Sequence, residues 1–318
     1  MTHHTLQHRK TPTWLSLVFS ASCALATAQS AMAASPPSLG VAPRVSNGPA
    51  ETATKTGLLF IADAGAQRVD IYAQIGLSQI ASIGTGSDVP GALAVDREGN
   101  LYVASQNDRN VKVYAPPYTS APFKTYRKGI IGSGATSIAI SRDGTVYIAS
   151  NIIVAVYPRH RVQPSQTLSI DECCVTGIDS IALDAAGNLY AAFLSSGSTL
   201  GYVGVFMNGS GPGNLLLGPF NGSQFSVAVD KRGDLLVGNN TSHLIGVYAP
   251  GQAQPWKTVT DYNSGPNAIA FDSSGNRLYV SDSPTTITTL SWPAAVTLST
   301  EQVSGPTVGI ATYPAPPF

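Results

Sequence analysis

The hydrophobic and polar positions of this chain alternate in short runs, and the runs recur. From Leu58 onward, apolar stretches of four to six residues are bounded by Gly, Asp, Asn and Pro, the punctuation of strands and turns. No stretch of helical periodicity exceeds two turns. A glycine follows a short turn and opens an apolar strand at Gly57, Gly99, Gly144, Gly187, Gly233 and Gly275, at intervals of 42, 45, 43, 46 and 42 residues. The text around these glycines repeats as ALAVDREGNLYVAS, SIAISRDGTVYIAS, SIALDAAGNLYAAF, SVAVDKRGDLLVGN and AIAFDSSGNRLYVS. A period in the low forties with all-strand content predicts propeller blades. The expected fold is all-β: a single six-bladed β-propeller with four-stranded antiparallel blades.

Each complete repeat parses into four strands. In the second repeat these are expected at Ala92–Asp96, Leu101–Ser105, Val111–Ala115 and Phe123–Arg127. The first strand is small and apolar, suited to a crowded axis. The second carries Tyr102, Tyr147, Tyr190, Leu236 or Tyr279, and the third ends in Tyr72, Tyr114, Tyr157, Phe206, Tyr248 or Trp292. These bulky side chains are expected to fill the space where blades diverge. The first repeat begins at Leu58 with what should be a second strand, while Gly305–Thr312 is an orphan first strand aligning with Gly265–Asp272. Pairing Thr307–Thr312 with Leu58–Asp63 would close the ring and remove two sheet edges at once.

Residues 1–33 read as an export signal. Arg9 and Lys10 form the positive region, Trp14 to Ala28 the apolar stretch, and Ala31-Met32-Ala33 a cleavage site after Ala33. A membrane anchor is disfavoured because Ser and Thr dilute a stretch already short for a span. Lipidation at Cys23 would follow Ser20-Ala21-Ser22, a poor recognition box. The protein is thus expected to be exported, periplasmic or secreted. Residues 34–56 form a Pro/Ala-rich arm, 57–313 the propeller and 314–318 a C-terminal tail. Charged residues make up 11% of the chain, against 31 Gly and 22 Pro, which suits a sheet protein with many tight turns. Cleavage removes two basic residues, leaving 16 basic and 18 acidic groups. That balance offers no basic face for phosphates, so a nucleic-acid partner is not expected. No second apolar stretch is long enough to span a bilayer, so no membrane span is expected. A monomer that binds a small molecule, a carbohydrate or a protein is.

Two repeats carry a family resemblance. FIADAGAQRVDIY (Phe60 to Tyr72) resembles the NHL repeat, with Asp63, Gly65 and Arg68 at the matching places. GPNAIAFDSSGNRLYVSDS (Gly265 to Ser283) looks like a blade of the senescence-marker/gluconolactonase family. Both families belong to the six-bladed propeller group. The resemblance spans about 255 residues, but its motifs specify blades and no reaction.

In a propeller, the loops leading into the innermost strands share one face with the loops joining second and third strands. The lead-in positions are Gly91, Thr136, Asp179, Phe225, Asn267 and Thr307, and the second strands end at Asp63, Ser105, Ser150, Phe193, Asn239 and Asp282. Asp179, Asn267, Thr136, Phe225, Asn239 and His243 are therefore the candidate ligand-binding residues. The gluconolactonase resemblance implies a divalent metal held by a Glu, an Asn and an Asp at lead-in positions. Asn267 and Asp179 match two of those types in reversed chain order, whereas Thr307 stands where the Glu would be. Calcium or another divalent ion would then need Asp282 or Asp63 in support. Of the four Glu residues (Glu51, Glu98, Glu172 and Glu301), none falls at a lead-in position.

Histidine chemistry is sparse. After signal removal only His160 and His243 remain, on loops expected at opposite faces, so neither a two-histidine base nor the histidine–glutamate pair of a streptogramin-type lyase is expected. No serine-nucleophile elbow or phosphate loop is present, and no catalytic residue is assigned. Cys173 and Cys174, in the loop DECCVTGID, are the only cysteines beyond the signal. In an oxidising compartment a vicinal disulfide between them is expected, bordering the channel mouth. Two functions remain in view: a non-catalytic binding scaffold, and a metal-assisted lactonase or related hydrolase.

Overall fold

The computed structural model describes residues 57–316 apart from 87, 120, 171–174, 196–199, 224, 261–264, 283–284 and 304. The expected leader and arm fall outside the described residues, as do Cys173 and Cys174. Six four-stranded antiparallel sheets make up the fold, and each meets the next in chain order. Blade one takes its outer three strands from Leu58–Asp63, Arg68–Ala73 and Gln79–Gly84. Its innermost strand is Thr307–Tyr313, from the far end of the chain. The innermost strands of blades two to six are Pro90–Val95, Ser137–Ile140, Val175–Leu183, Phe225–Val229 and Pro266–Phe271. They surround the central axis, each beside its neighbours in the ring. The strands of blade two fall within two residues of their expected bounds.

The alternation in the sequence becomes the ring by a simple division of faces. In Leu58–Asp63 every residue is buried. Leu58, Phe60 and Ala62 pack with Leu93, Val95, Leu101 and Val103 of blade two. Leu59 and Ile61 turn the other way, onto Tyr279 and Ile287 of blade six. A strand whose two faces are both covered has no polar face, which is why the second strands read as continuous apolar runs. The buried residues fall into six apolar clusters, each straddling one blade junction. The aromatics act there as expected. Tyr126 stacks edge-on against Tyr157 of the next blade at 4.9 Å between centroids, and Phe271 meets Trp292 at 5.5 Å.

The repeat glycines have one cause in five cases and another in the sixth. Gly99, Gly144, Gly187, Gly233 and Gly275 close the turns between first and second strands with φ of 84°, 86°, 89°, 86° and 64°. That left-handed conformation favours glycine. In the first of these turns Asp96 Oδ1 accepts from the Asn100 N–H at 2.7 Å, fixing the Asp-x-x-Gly-Asn spacing. Gly57 has no such φ. Blade one has no preceding turn, because its innermost strand arrives from the C-terminus. At Gly57 a Cβ would instead collide with the Gln74 side chain.

Closure follows the expected pairing, with Leu58 opposite Tyr313 and Asp63 opposite Thr307. Thr312 Oγ1 donates to the Phe271 carbonyl of blade six at 2.7 Å. On the other side Gly309 lies so close to blade two that a Cβ would overlap the Gly91 carbonyl oxygen. Backbone cannot yield as a side chain can, so Gly309→Ala is expected to cost about 1–3 kcal/mol. Thermal unfolding checks this: the midpoint should fall by several degrees, whereas an unchanged midpoint would show that the closing strand is not held at that distance.

Candidate functional site

Three serines and a threonine tie neighbouring innermost strands together around the axis. Ser137 Oγ accepts from the Ile181 N–H at 3.0 Å, and Ser180 Oγ accepts from the Val227 N–H at 3.1 Å. Ser226 Oγ donates to the Pro266 carbonyl at 3.4 Å, and Thr136 Oγ1 donates to the Ile178 carbonyl at 2.7 Å. These strands cross-link through side chains because their backbones splay apart with the blades. The effect is to fix the rim residues on rigid strands rather than on loops.

Above this ring, on the lead-in face, lies a cavity of about 640 Å³. Thr136, Asp179, Phe225, Asn267 and Thr307 line it, so five of the six lead-in positions converge as the sequence implies. At the remaining lead-in position, that of blade two, Ala92 takes the place of Gly91, and Gln106 and Ser133 add polar groups from neighbouring loops. Below it the channel narrows to a space of about 150 Å³. At the opposite face Ala315 and Pro316 line a separate cavity of about 320 Å³ together with the turn residues Arg97, Arg142 and Asp184.

Asp179 is held by its strand, not by a loop. Ile178 pairs with Phe193 and Ser180 with Ala192, so Asp179 is the extra residue of a β-bulge. A bulge re-aims one side chain without breaking the sheet. Asp179 Oδ2 accepts from the Phe225 N–H at 3.1 Å. Burial pushes its carboxyl up to about 6, while the Phe225 N–H acts the other way. The Phe225 ring fills the space beside Gly201, where any Cβ would strike it. Asn267 is fixed through its carbonyl: Oδ1 accepts from Asn240 Nδ2 at 2.5 Å.

The other candidates are placed elsewhere. Asp63 and Asp282 are each 1% exposed at the ends of second strands and do not line the cavity. Asp63 Oδ1 accepts from the Ala66 N–H at 2.8 Å and closes its own turn. Asp282 Oδ2 accepts from Thr288 Oγ1 at 3.0 Å, and burial raises its carboxyl above the ordinary range. Asn239 is buried with both amide atoms engaged: Oδ1 accepts from the Ser242 N–H at 3.0 Å and Nδ2 donates to the Asn221 carbonyl at 2.8 Å. His243 is exposed in the adjoining turn at φ 53° and does not line the cavity. Among the described residues, no three His, Cys, Asp or Glu side chains come together as a metal site. Sequence reasoning missed Gln106 and Ser133, which lie off the repeat's lead-in positions and carry no signal of their own.

No protein-family model matches the chain, and no curated protein does. Solved structures do share its architecture. A chain of a nidogen/laminin complex superposes with a TM-score of 0.64 at 16% identity, covering 80% of this chain and 98% of that one. A protein of unknown function from Bacteroides caccae gives 0.64 at 11% identity, over 81% and 98%. The hydrazine synthase of Kuenenia stuttgartiensis gives 0.59 at 15%, over 80% and 86%. Identities this low establish the six-bladed propeller fold and leave function to the site. Among the described residues no helix is long and apolar enough to cross a membrane.

Proposed function

We propose that this protein is an exported, non-catalytic binding propeller of the NHL-repeat and gluconolactonase-like group, taking a ligand in the cavity over its channel. One observation carries the reading: among the described residues lining the cavity, Asp179 is the only ionisable side chain. A pocket of small-molecule size with a few fixed polar groups and an apolar wall is suited to recognition. Acid–base chemistry that uses two proton carriers would need a partner for Asp179 within reach of the same substrate, and among the described residues none lines this cavity.

The lactonase reading draws on Asp179 and Asn267 sharing one cavity. The donor set does not fit the metal that this reading needs. Hard divalent ions take six or more oxygens, several of them from carboxylates, yet among the described residues Asp179 is the only carboxylate lining the cavity and neither Asp63 nor Asp282 reaches it. The test is a panel of lactones together with thermal unfolding in calcium or zinc. No turnover and no rise in melting temperature are expected, since an ion that binds only the folded state must raise it. Lactone hydrolysis by the wild type that is lost in Asp179→Asn would overturn the binding reading.

A further inference from the structure

We propose that the cavity selects small molecules carrying a single positive charge on nitrogen, an ammonium group, with Asp179 as the fixed counter-ion. This rests on the binding reading above and names the ligand class for it.

The carboxylates buried elsewhere have local partners. Asp70 pairs with Arg68 at 2.7 Å and Asp230 with Arg232 at 3.2 Å, Asp96 accepts a turn N–H at 2.7 Å, and Asp282 accepts from the Thr288 hydroxyl at 3.0 Å. Among the described carboxylates, Asp179 alone combines a bulge on an innermost strand with a place on this cavity's wall. Its hydrogen bond is one backbone N–H, and no salt bridge among the described residues includes it. Among the described residues no Lys, Arg or His lines the cavity, and the sequence of the intervening propeller segments contains none. A negative charge held in a half-enclosed site without a counter-charge is costly to the fold. A cation from solution offsets that cost; a neutral ligand does not, and an anion adds to it.

The walls suit an organic cation better than a metal ion. Gln106 offers a further polar group and Thr136, whose hydroxyl donates to the Ile178 carbonyl, an acceptor oxygen, while Phe225, Pro306 and Val308 offer apolar surface for the rest of the molecule. The space of about 640 Å³ is that of a small organic ligand. Among the described residues Asp179 is the one carboxylate on the wall, so a metal would find a single anionic ligand.

Binding should follow the protonation of Asp179. The strands packed against its own are Ser137–Ile140, Val146–Ser150, Leu189–Ser195 and Phe225–Val229, and their only titratable side chains are Tyr147 and Tyr190. Both tyrosines are raised above their ordinary range, chiefly by burial, and stay neutral. Tyr190 also bonds Asp184 in the turn at the opposite face.

The experiment uses the full chain and matched sets of alkyl and benzyl compounds that differ only in bearing an ammonium, an alcohol or a carboxylate, with binding followed by calorimetry. Ammonium members are expected to bind at least about tenfold tighter than their alcohols at about pH 7.5, and to weaken about tenfold at about pH 5 as Asp179 takes up its proton. Asp179→Asn should lose both the selectivity and the pH dependence while keeping the wild-type fold by thermal unfolding. The pH profile of the unaltered protein is a second readout should that variant fail to fold. Alcohols or carboxylates binding as tightly as the ammonium compounds would overturn the charge assignment and leave the binding reading intact. So would selectivity that survives in folded Asp179→Asn, failure of every ammonium compound to bind at millimolar concentration, or calcium binding that depends on Asp179. Turnover of a lactone would instead overturn the binding reading itself.

Discussion

Deleting residues 306–318 is expected to abolish the cooperative unfolding transition rather than merely lower its midpoint. Thr307–Tyr313 is the innermost strand of blade one and covers the edge of Leu58–Asp63 along its whole length. Ile310 belongs to the apolar cluster between blades six and one, and Ala311 to the cluster between blades one and two. Its loss therefore opens two of six junctions and leaves an unpaired strand edge, a template for association between chains. Domains of this kind are held by about 5–15 kcal/mol in all. Losing a whole strand from two clusters is of that order, so calorimetry of the truncated chain should show a broad, reduced or absent transition, with aggregation. Because Tyr313 pairs with Leu58, a permuted chain with residues 305–318 placed before Gly57 can make the same contact as a hairpin. That chain should regain a single transition. A truncated protein that melts cooperatively near the wild-type temperature would show that the ring does not depend on this closure.

The second large effect is electrostatic. Asp179→Asn is expected to raise the melting temperature near neutral pH and to leave it unchanged near pH 4. Its carboxyl is pushed up to about 6, mainly by burial. The folded state thus holds a proton that the unfolded chain has released between about pH 4 and pH 6. Stability from this group is complete below the unfolded value and is lost as pH rises through the folded one. The two-unit difference sets a ceiling of about 3 kcal/mol at neutral pH, less what water in the open cavity restores. An asparagine oxygen can still accept from the Phe225 N–H, so the variant removes the charge and keeps the bond. Melting curves across that pH range decide the matter. A gain that persists at pH 4, or no gain near pH 7.5, would mean that the carboxylate is not desolvated.

Much of the architecture is legible in the residues themselves. Gly99 and its four equivalents mark turns that only a left-handed residue makes easily, and the spacing between them counts the blades. The missing strand before Leu58 and the spare one at Thr307 together give the closure. Lead-in positions are legible for the same reason, being fixed by register within a blade, and five of them line one cavity. What the repeat does not carry is the path of side chains between blades. Asn239 ends its strand and His243 sits in the adjoining turn on the expected face, but Asn239 spends its amide on Asn221 and Ser242. Asp63 and Asp282 end their strands as expected, yet lie in the blades rather than over the channel. Gln106 reaches the cavity from a loop that the repeat does not specify. The bulge that aims Asp179 depends on how Val175–Leu183 meets its partner strand, which its own residues do not announce.

The most direct test of a binding site organised around Asp179 is a crystal structure of the full chain with the tightest ammonium compound of the matched series. The expected result places the ligand nitrogen within hydrogen-bonding distance of the Asp179 carboxylate, with the apolar part against Phe225 and Pro306. A ligand found instead at the opposite mouth, beside Arg97 and Pro316, or on the outer strands would contradict the account.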